Sequence, residues 1–209
     1  MKKFKRVLAL AMAVILSVPT IITTGMGTVP VKAAGDTVEL TVSSESAKYA
    51  GYETRKMYAG GNYAYCVQPS KKTPQSGTYE KHYDVENYVS NAGDETQAVQ
   101  SRNLAYYCWG APGFNASYFP STWYDGSAMD DDKYIALSHI MLSFLVSYDE
   151  VGSMHGCNSS FKNWVYQNVL GYNANGDLVN GQATLPILCW SAAPASFKVY
   201  ILSTGSATQ

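Results

Sequence analysis

The stretch DDDKYIALSHIMLSFLVSY, Asp130–Tyr148, carries the strongest helical pattern in the sequence. The three aspartates at its start can accept hydrogen bonds from free amides and interact favourably with the helix dipole. We therefore predict a helix from Lys133 to Tyr148. Its apolar residues cover a broad face, so most of this helix should be buried; they are Ile135, Ala136, Ile140, Met141, Phe144 and Leu145.

Segments typical of β-strands precede this helix. Residues 37–42 alternate in polarity and are rich in β-branched side chains, which predicts a first strand. Residues 56–58 and 63–67 flank the turn sequence Gly60-Gly61-Asn62, which predicts a hairpin. The chain thus begins its fold with at least three strands.

Two further helices and two late strands complete the predicted order. Residues 96–107 follow Asp94 and carry a helical apolar stripe, and Ser159 or Ser160 can cap a third helix. Residues 185–190 and 197–202 are predicted as strands. The fold class is therefore α+β, a β-sandwich or barrel-like framework with an inserted helical block.

The composition excludes several classes of protein. Charged residues make up 15% of the 209 residues, hydrophobic residues 46%, and there are 17 tyrosines. A disordered tail would lack these aromatics, and a nucleic-acid-binding domain would be basic, whereas this chain has a net charge of −1. We expect a globular domain that does not bind nucleic acid.

The first 34 residues read as a secretory signal peptide. Four basic residues within the first six precede an apolar run of 12 residues from Val7 to Val18, and Ala33-Ala34 supply small residues for cleavage. The run is too short for a membrane-spanning helix, which needs about 20 residues. Cleavage leaves residues 35–209 with 10 basic and 16 acidic groups. The prediction is an exported, monomeric, acidic domain without a membrane segment.

Four cysteines lie in this exported part, at positions 66, 108, 157 and 189. Exported proteins meet an oxidising environment, so one or two disulfides are expected, and three pairings of four cysteines are possible. His82, His139 and His155 are scattered and no pair has zinc-ligand spacing, so no metal and no cofactor are predicted.

Cys66 is the first candidate for chemistry, since it follows a β-type run and precedes a polar loop. A nucleophilic cysteine needs a base, and His139 within the apolar helix is the best candidate, with His155 as a second. A secreted cysteine hydrolase is one interpretation, although no residue uniquely fills the third, orienting role. A binding module with structural cysteines is another.

A family resemblance rests on the order of three motifs. The triplet Tyr65-Cys66-Val67 comes early, the helix core ALSHIML (residues 136–142) follows, and a late strand leads into Thr208-Gln209. This arrangement resembles the thioester domains of Gram-positive surface adhesins, over residues 35–209. The domain is expected to be truncated at its C-terminal strand.

The resemblance implies an internal thioester between Cys66 and Gln209. It implies single-turnover covalent attachment to an amine on a host or surface ligand, hence no turnover enzyme, and a cell-surface location with wall attachment if a longer chain follows. The family's supporting Thr-Gln motif on a helix reads Ser138-His139 here, so these two residues become the supporting polar groups. The alternative within the same fold is non-covalent binding.

Overall fold

The computed structural model describes residues 12–17, 36–147, 153–173 and 177–203, and its framework is a curled antiparallel sheet. The strands are β1 (Met12–Ser17), β2 (Thr37–Tyr49), β3 (Tyr52–Ala59), β4 (Asn62–Cys66), β5 (Gly77–His82) and β6 (Lys198–Ser203). The order β1-β4-β3-β2-β5-β6 closes on itself, because β1 pairs with both β4 and β6. The predicted α+β, barrel-like class is confirmed.

The hairpin between β3 and β4 forms as predicted. Met57 pairs with Ala64 and Ala59 with Asn62, around Gly60 and Gly61, which both have positive φ. Glycine adopts this conformation without the steric penalty that a Cβ atom brings. The turn fixes the register of β4 and therefore the position of its last residue, Cys66.

The described part of the chain contains four α-helices beside the sheet. They are α1 (Glu95–Tyr107), α2 (Asp131–Ser147), α3 (Ser159–Val165) and α4 (Thr184–Trp190), and α3 continues into a π-helical turn, Tyr166–Leu170. The predicted helices at 96–107 and 133–148 are confirmed within their ends, and Tyr148 itself lies outside the described residues. Among the described residues, no helix is long and apolar enough to cross a bilayer.

Hydrogen-bonded side-chain caps start the first three of these helices. Asp94 accepts from Gln97 N at 3.0 Å, and Asp130 accepts from Lys133 N at 3.0 Å, as the acidic residues there suggested. The third helix is capped by Asn158, whose Oδ1 accepts from Phe161 N at 2.8 Å. The prediction of a serine cap at 159 or 160 was wrong by one residue, since both serines lie in the first turn.

One predicted strand is a helix. Residues 185–190 lie within α4, whose first turn contains Pro186. Proline is tolerated there because that amide has no partner inside the helix. Asn103 on α1 then holds the helix end, since its Nδ2 donates to Cys189 O at 3.0 Å and its Oδ1 accepts from Ala193 N at 3.1 Å.

The core has two parts because side chains alternate along β4. Tyr63 and Tyr65 belong to the large cluster that includes the buried residues of the helices, whereas Ala64 and Cys66 belong to a smaller one. The smaller cluster consists of Leu40, Met57, Ala59, Ala64, Cys66, Tyr200 and Leu202. Cys66 thus shares a face of the sheet with apolar side chains.

The cysteines form no disulfide: all four lie in the described part and none is bonded to another. The expectation of one or two disulfides was wrong. They lie on separate elements: β4, the end of α1, the segment before α3, and α4. The buried apolar core of the domain holds these elements together instead.

Gly171 ends the π-helical turn, and replacing it with alanine is expected to destabilise the fold by about 2 kcal/mol. Its φ is +72°, and a Cβ there clashes with the backbone oxygen of Asn180 and lies 3.0 Å from Ala183 Cβ. Urea denaturation of the two proteins measures the effect. Gly126→Ala is a suitable control, because its φ of +83° carries the same strain but its Cβ meets nothing within 4 Å. Equal losses would contradict the close approach at Gly171.

Candidate functional site

Cys66 ends β4 and is 7% exposed. Its backbone neighbour in the sheet is Ala13 on β1, and Ala13 is also opposite Leu202 on β6. Cys66 therefore lies one strand position away from the end of β6. Residues directly opposite in an antiparallel pair have Cβ atoms about 4.5–5.5 Å apart, so the strand beside β4 sets what the thiol can reach.

His139 lies on α2 and is 2% exposed. Its Nδ1 lies 3.4 Å from the hydroxyl oxygen of Tyr49, at the end of β2. That hydroxyl donates to the backbone carbonyl of Ser153 at 2.7 Å. A buried polar group on an apolar helix is costly unless it is hydrogen-bonded, and this contact provides a partner for Nδ1.

Cys66 and His139 line the same cavity, which has a volume of about 270 Å³. The other lining residues are Tyr52, Glu53, Thr54, Arg55, Met57, Pro69, Lys71 and Thr73. Most come from β3 and from the polar loop after β4, so the hairpin turn and the position of α2 together build the site. Its lining is mostly polar and includes the charged residues Glu53, Arg55 and Lys71, which suits a small polar ligand group.

The phenol of Tyr49 is held in its protonated form. Burial raises the pKa of Tyr49 well above its ordinary value, and the neighbouring Tyr52, Cys157 and Cys66 raise this pKa further. The protonated Tyr49 hydroxyl is the group that His139 contacts, and the His139 side chain in turn lines the cavity that Cys66 lines.

Ser138 has a different place from its neighbour on α2. Its hydroxyl accepts a hydrogen bond from Trp109 N at 3.0 Å, and it also lowers the raised pKa values of Tyr65 and Cys108. It is not among the residues that line the cavity. His139 therefore lines the cavity together with Cys66, whereas Ser138 connects α2 to the segment after α1.

The remaining candidate residues lie elsewhere. Gln209 is outside the described residues. His155 is exposed in the loop before α3, and the ring of His82 lies 5.1 Å from that of Tyr88. Of the three histidines, only His139 lines the cavity with Cys66.

The other cysteines lie in settings that keep their thiols protonated. Burial raises the pKa of Cys108 far above its ordinary range, that of Cys157 to about 11 and that of Cys189 to about 12. The thiolate is the nucleophilic form of cysteine, so these three are poor nucleophiles. None of the three lines the cavity.

Sequence reasoning missed Tyr49 and Ser153. Tyr49 was one of 17 tyrosines, and a tyrosine at a strand end most often packs through its ring. The available signal was its place in Tyr49-Ala50-Gly51-Tyr52, where a tight turn makes β2 and β3 neighbours. Ser153 contributes its backbone carbonyl, which no side-chain pattern identifies.

A family model described as "Thioester domain" matches residues 37–175. This range is more than half of the chain and contains Cys66, Ser138 and His139. Comparisons with curated proteins and with solved structures found no match. The chain belongs to the thioester domain family, as the motifs suggested. Membership indicates an adhesin-like domain that binds covalently rather than one that catalyses turnover.

Proposed function

We propose that this chain is an exported cell-surface adhesin domain in which Cys66 and Gln209 form an internal thioester. The thioester reacts once with an amine on a host or surface ligand and leaves the two molecules joined by an amide. The family, the cavity beside Cys66 and the predicted signal peptide support this proposal.

The observation that carries the proposal is the strand position between β4 and β6. Residues Met12–Ser17 occupy it, with Ala13 opposite both Cys66 and Leu202. These residues fall inside the predicted signal peptide, so export removes them. The backbone groups along two strand edges then need another strand, because unpaired edges are costly and adhesive.

The sequence after β6 favours a hairpin turn that would lead a further strand into the position of β1. Residues 204–209 read Thr-Gly-Ser-Ala-Thr-Gln, and Gly205-Ser206 is a pair typical of two-residue hairpin turns. By residue count, a hairpin closed by this turn would pair position 203 with 208 and position 202 with 209. We propose that Gln209 would then replace Ala13 as the neighbour of Cys66, because Ala13 is the residue opposite Leu202.

The reaction balances without a cofactor. The Cys66 sulfur attacks the side-chain carbonyl carbon of Gln209, the carbon–nitrogen bond breaks, and the nitrogen leaves as ammonia. An incoming amine later attacks the same carbon, the carbon–sulfur bond breaks, and Cys66 regains its thiol. The low exposure of Cys66 limits access by water, whose attack is the competing fate of a thioester.

Intact mass spectrometry of the exported protein tests the proposal. The mature chain should weigh one ammonia less than its sequence, and treatment with methylamine should add the mass of one methylamine. Peptide mapping should then locate the methylamide on Gln209. A mass that equals the sequence, with Cys66 open to alkylation, would show a non-covalent binding module instead.

Export to the cell surface is tested separately from the thioester bond. The N-terminus of the protein recovered from the cell surface or medium should start near residue 35. An N-terminus that retains residues 12–17 would contradict the removal of β1 and with it the vacant strand position. The ligand is an amine-bearing surface molecule, and a lysine side chain is the commonest such group on proteins.

A further inference from the structure

The direction of the hydrogen bonds around Tyr49 fixes the state of His139. A tyrosine hydroxyl has one proton, and here it points to the Ser153 carbonyl, which can only accept. The hydroxyl oxygen can therefore only accept from Nδ1 of His139, 3.4 Å away. This is a long hydrogen bond, of the kind that often tightens when a ligand is bound.

The neutral imidazole consequently carries its proton on Nδ1 and a lone pair on Nε2. Tyr49 cannot reverse this arrangement by ionising, because burial raises its pKa well above the ordinary value. Its ring is also fixed, with centroids 5.4 Å from Tyr52 and 5.8 Å from Phe161. A rigid acceptor thus orients the His139 imidazole, whose side chain lines the same cavity as Cys66.

We propose that His139 is the base that takes the proton of the Cys66 thiol and that Tyr49 positions it, in a relay from the Ser153 carbonyl through the Tyr49 hydroxyl to the imidazole. The proposal rests on the function proposed above, since it concerns the same cavity. The family resemblance implies a glutamine at position 139, whereas this chain has a histidine there. The proposal gives that histidine a role that a glutamine cannot fill, because glutamine is not a base.

The base serves both steps of the chemistry. In thioester formation, Nε2 accepts the thiol proton as the sulfur attacks the carboxamide, and returns it to the nitrogen that leaves as ammonia. In ligand capture, Nε2 accepts a proton from the attacking amine and returns it to the departing sulfur. No proton is gained or lost overall. General acid–base assistance of this kind contributes about 10²–10⁴-fold in rate.

The charged and titratable groups around the imidazole come from several elements. Those on the cavity wall are Tyr52, Glu53, Arg55, Cys66 and Lys71, and those on the side of the Tyr49 hydroxyl are Tyr49 and Cys157. Glu53 is 4.0 Å from Lys48, and Arg55 donates to the backbone carbonyl of Ser44. These rim charges thus have other partners.

The test measures the alkylation of Cys66 by iodoacetamide in the Gln209→Ala variant, from about pH 6 to pH 10, around the ordinary cysteine pKa of about 8.5. This background leaves Cys66 as a thiol whether or not the thioester forms. Adding His139→Gln should lower the rate near neutral pH at least tenfold. The difference should vanish near the upper end, where a thiol ionises without help.

A conservative variant guards against loss of the fold. Tyr49→Phe keeps the ring packing and removes only the hydroxyl, so it should slow alkylation near neutral pH about threefold to tenfold and leave the rate at high pH unchanged. His155→Gln is the matched control, because His155 is exposed and outside the cavity. It should leave the whole profile unchanged.

The outcomes separate this proposal from the thioester itself. If Cys66 is alkylated equally fast with His139 and with His139→Gln at every pH, His139 is not the base. An unchanged pH profile for Tyr49→Phe would show that Tyr49 does not position it. If the mass test finds no thioester but alkylation still depends on His139, then His139 activates Cys66 and the proposed thioester is wrong. If the thioester is found and alkylation does not depend on His139, the thioester is correct and the role of His139 as base is wrong.

Discussion

The Cys66→Ala variant is expected to lose every mass change of the wild-type protein: the loss of ammonia and the gain of methylamine both disappear. The reason is that the other thiols cannot substitute. Burial raises the pKa of Cys157 to about 11 and that of Cys189 to about 12, which keeps both protonated, and neither lines the cavity. Intact mass before and after methylamine measures the effect.

Cys189→Ala is the control for this variant. Cys189 is also a buried thiol, 5% exposed, but it lies on α4 and lines a different cavity. The Cys189→Ala variant should keep the full ammonia deficit and the full methylamine adduct, although it also replaces one buried thiol with a methyl group. If Cys66→Ala retained the ammonia deficit, another residue would have to form the bond and the assignment of Cys66 would be wrong.

The parts of the fold that the sequence predicts are those with local signals. The Gly60-Gly61-Asn62 turn predicts the β3–β4 hairpin, and acidic caps with helical periodicity predict α1 and α2. Residues 185–190 have no such signal, because a short apolar run fits a buried strand as well as a buried helix. Their helical state depends on α1, where Asn103 binds the backbone at the end of α4.

The disulfide expectation failed for a related reason. It rested on the redox environment of an exported chain, which says nothing about distances between cysteines. A disulfide needs Cα atoms about 4.4–6.8 Å apart with suitable geometry, and none of the four cysteines, which lie on four elements, is bonded to another. Tertiary structure, which composition does not contain, decides this feature.

The candidate site also contains residues that the sequence identifies and one that it does not. Cys66 and His139 were identified from the sequence because a cysteine after a strand and a histidine in an apolar helix are both unusual. The partner of His139 was not identified, since Tyr49 is 90 positions away in sequence and its own hydroxyl donates to the backbone carbonyl of Ser153. Ser138, adjacent to His139 in sequence, turns instead to Trp109.

Phe161→Ala should have the largest effect on stability, a loss of about 4 kcal/mol in the free energy of unfolding, since large aromatic deletions in a core cost about 3–5 kcal/mol. The side chain is completely buried. Its ring lies 5.1 Å from Trp123, 5.3 Å from Tyr124 and 6.2 Å from Trp164, centroid to centroid. Rigid aromatic neighbours cannot collapse into the space, so a cavity remains.

The same deletion should reach the reactive site, because the Phe161 ring also packs on Tyr49 at 5.8 Å. Urea denaturation gives the stability, and the Cys66 alkylation profile of the Gln209→Ala background gives the site. Domains of this size have only about 5–15 kcal/mol of stability, so the variant should stay folded in buffer but unfold at a much lower urea concentration.

Trp190→Ala is the control: that side chain is 75% exposed, and its loss should cost under about 1 kcal/mol. Equal losses for the two variants would contradict the assignment of Phe161 to the centre of the core. A destabilised Phe161→Ala protein with a wild-type alkylation profile would show that Tyr49 keeps its position without that ring.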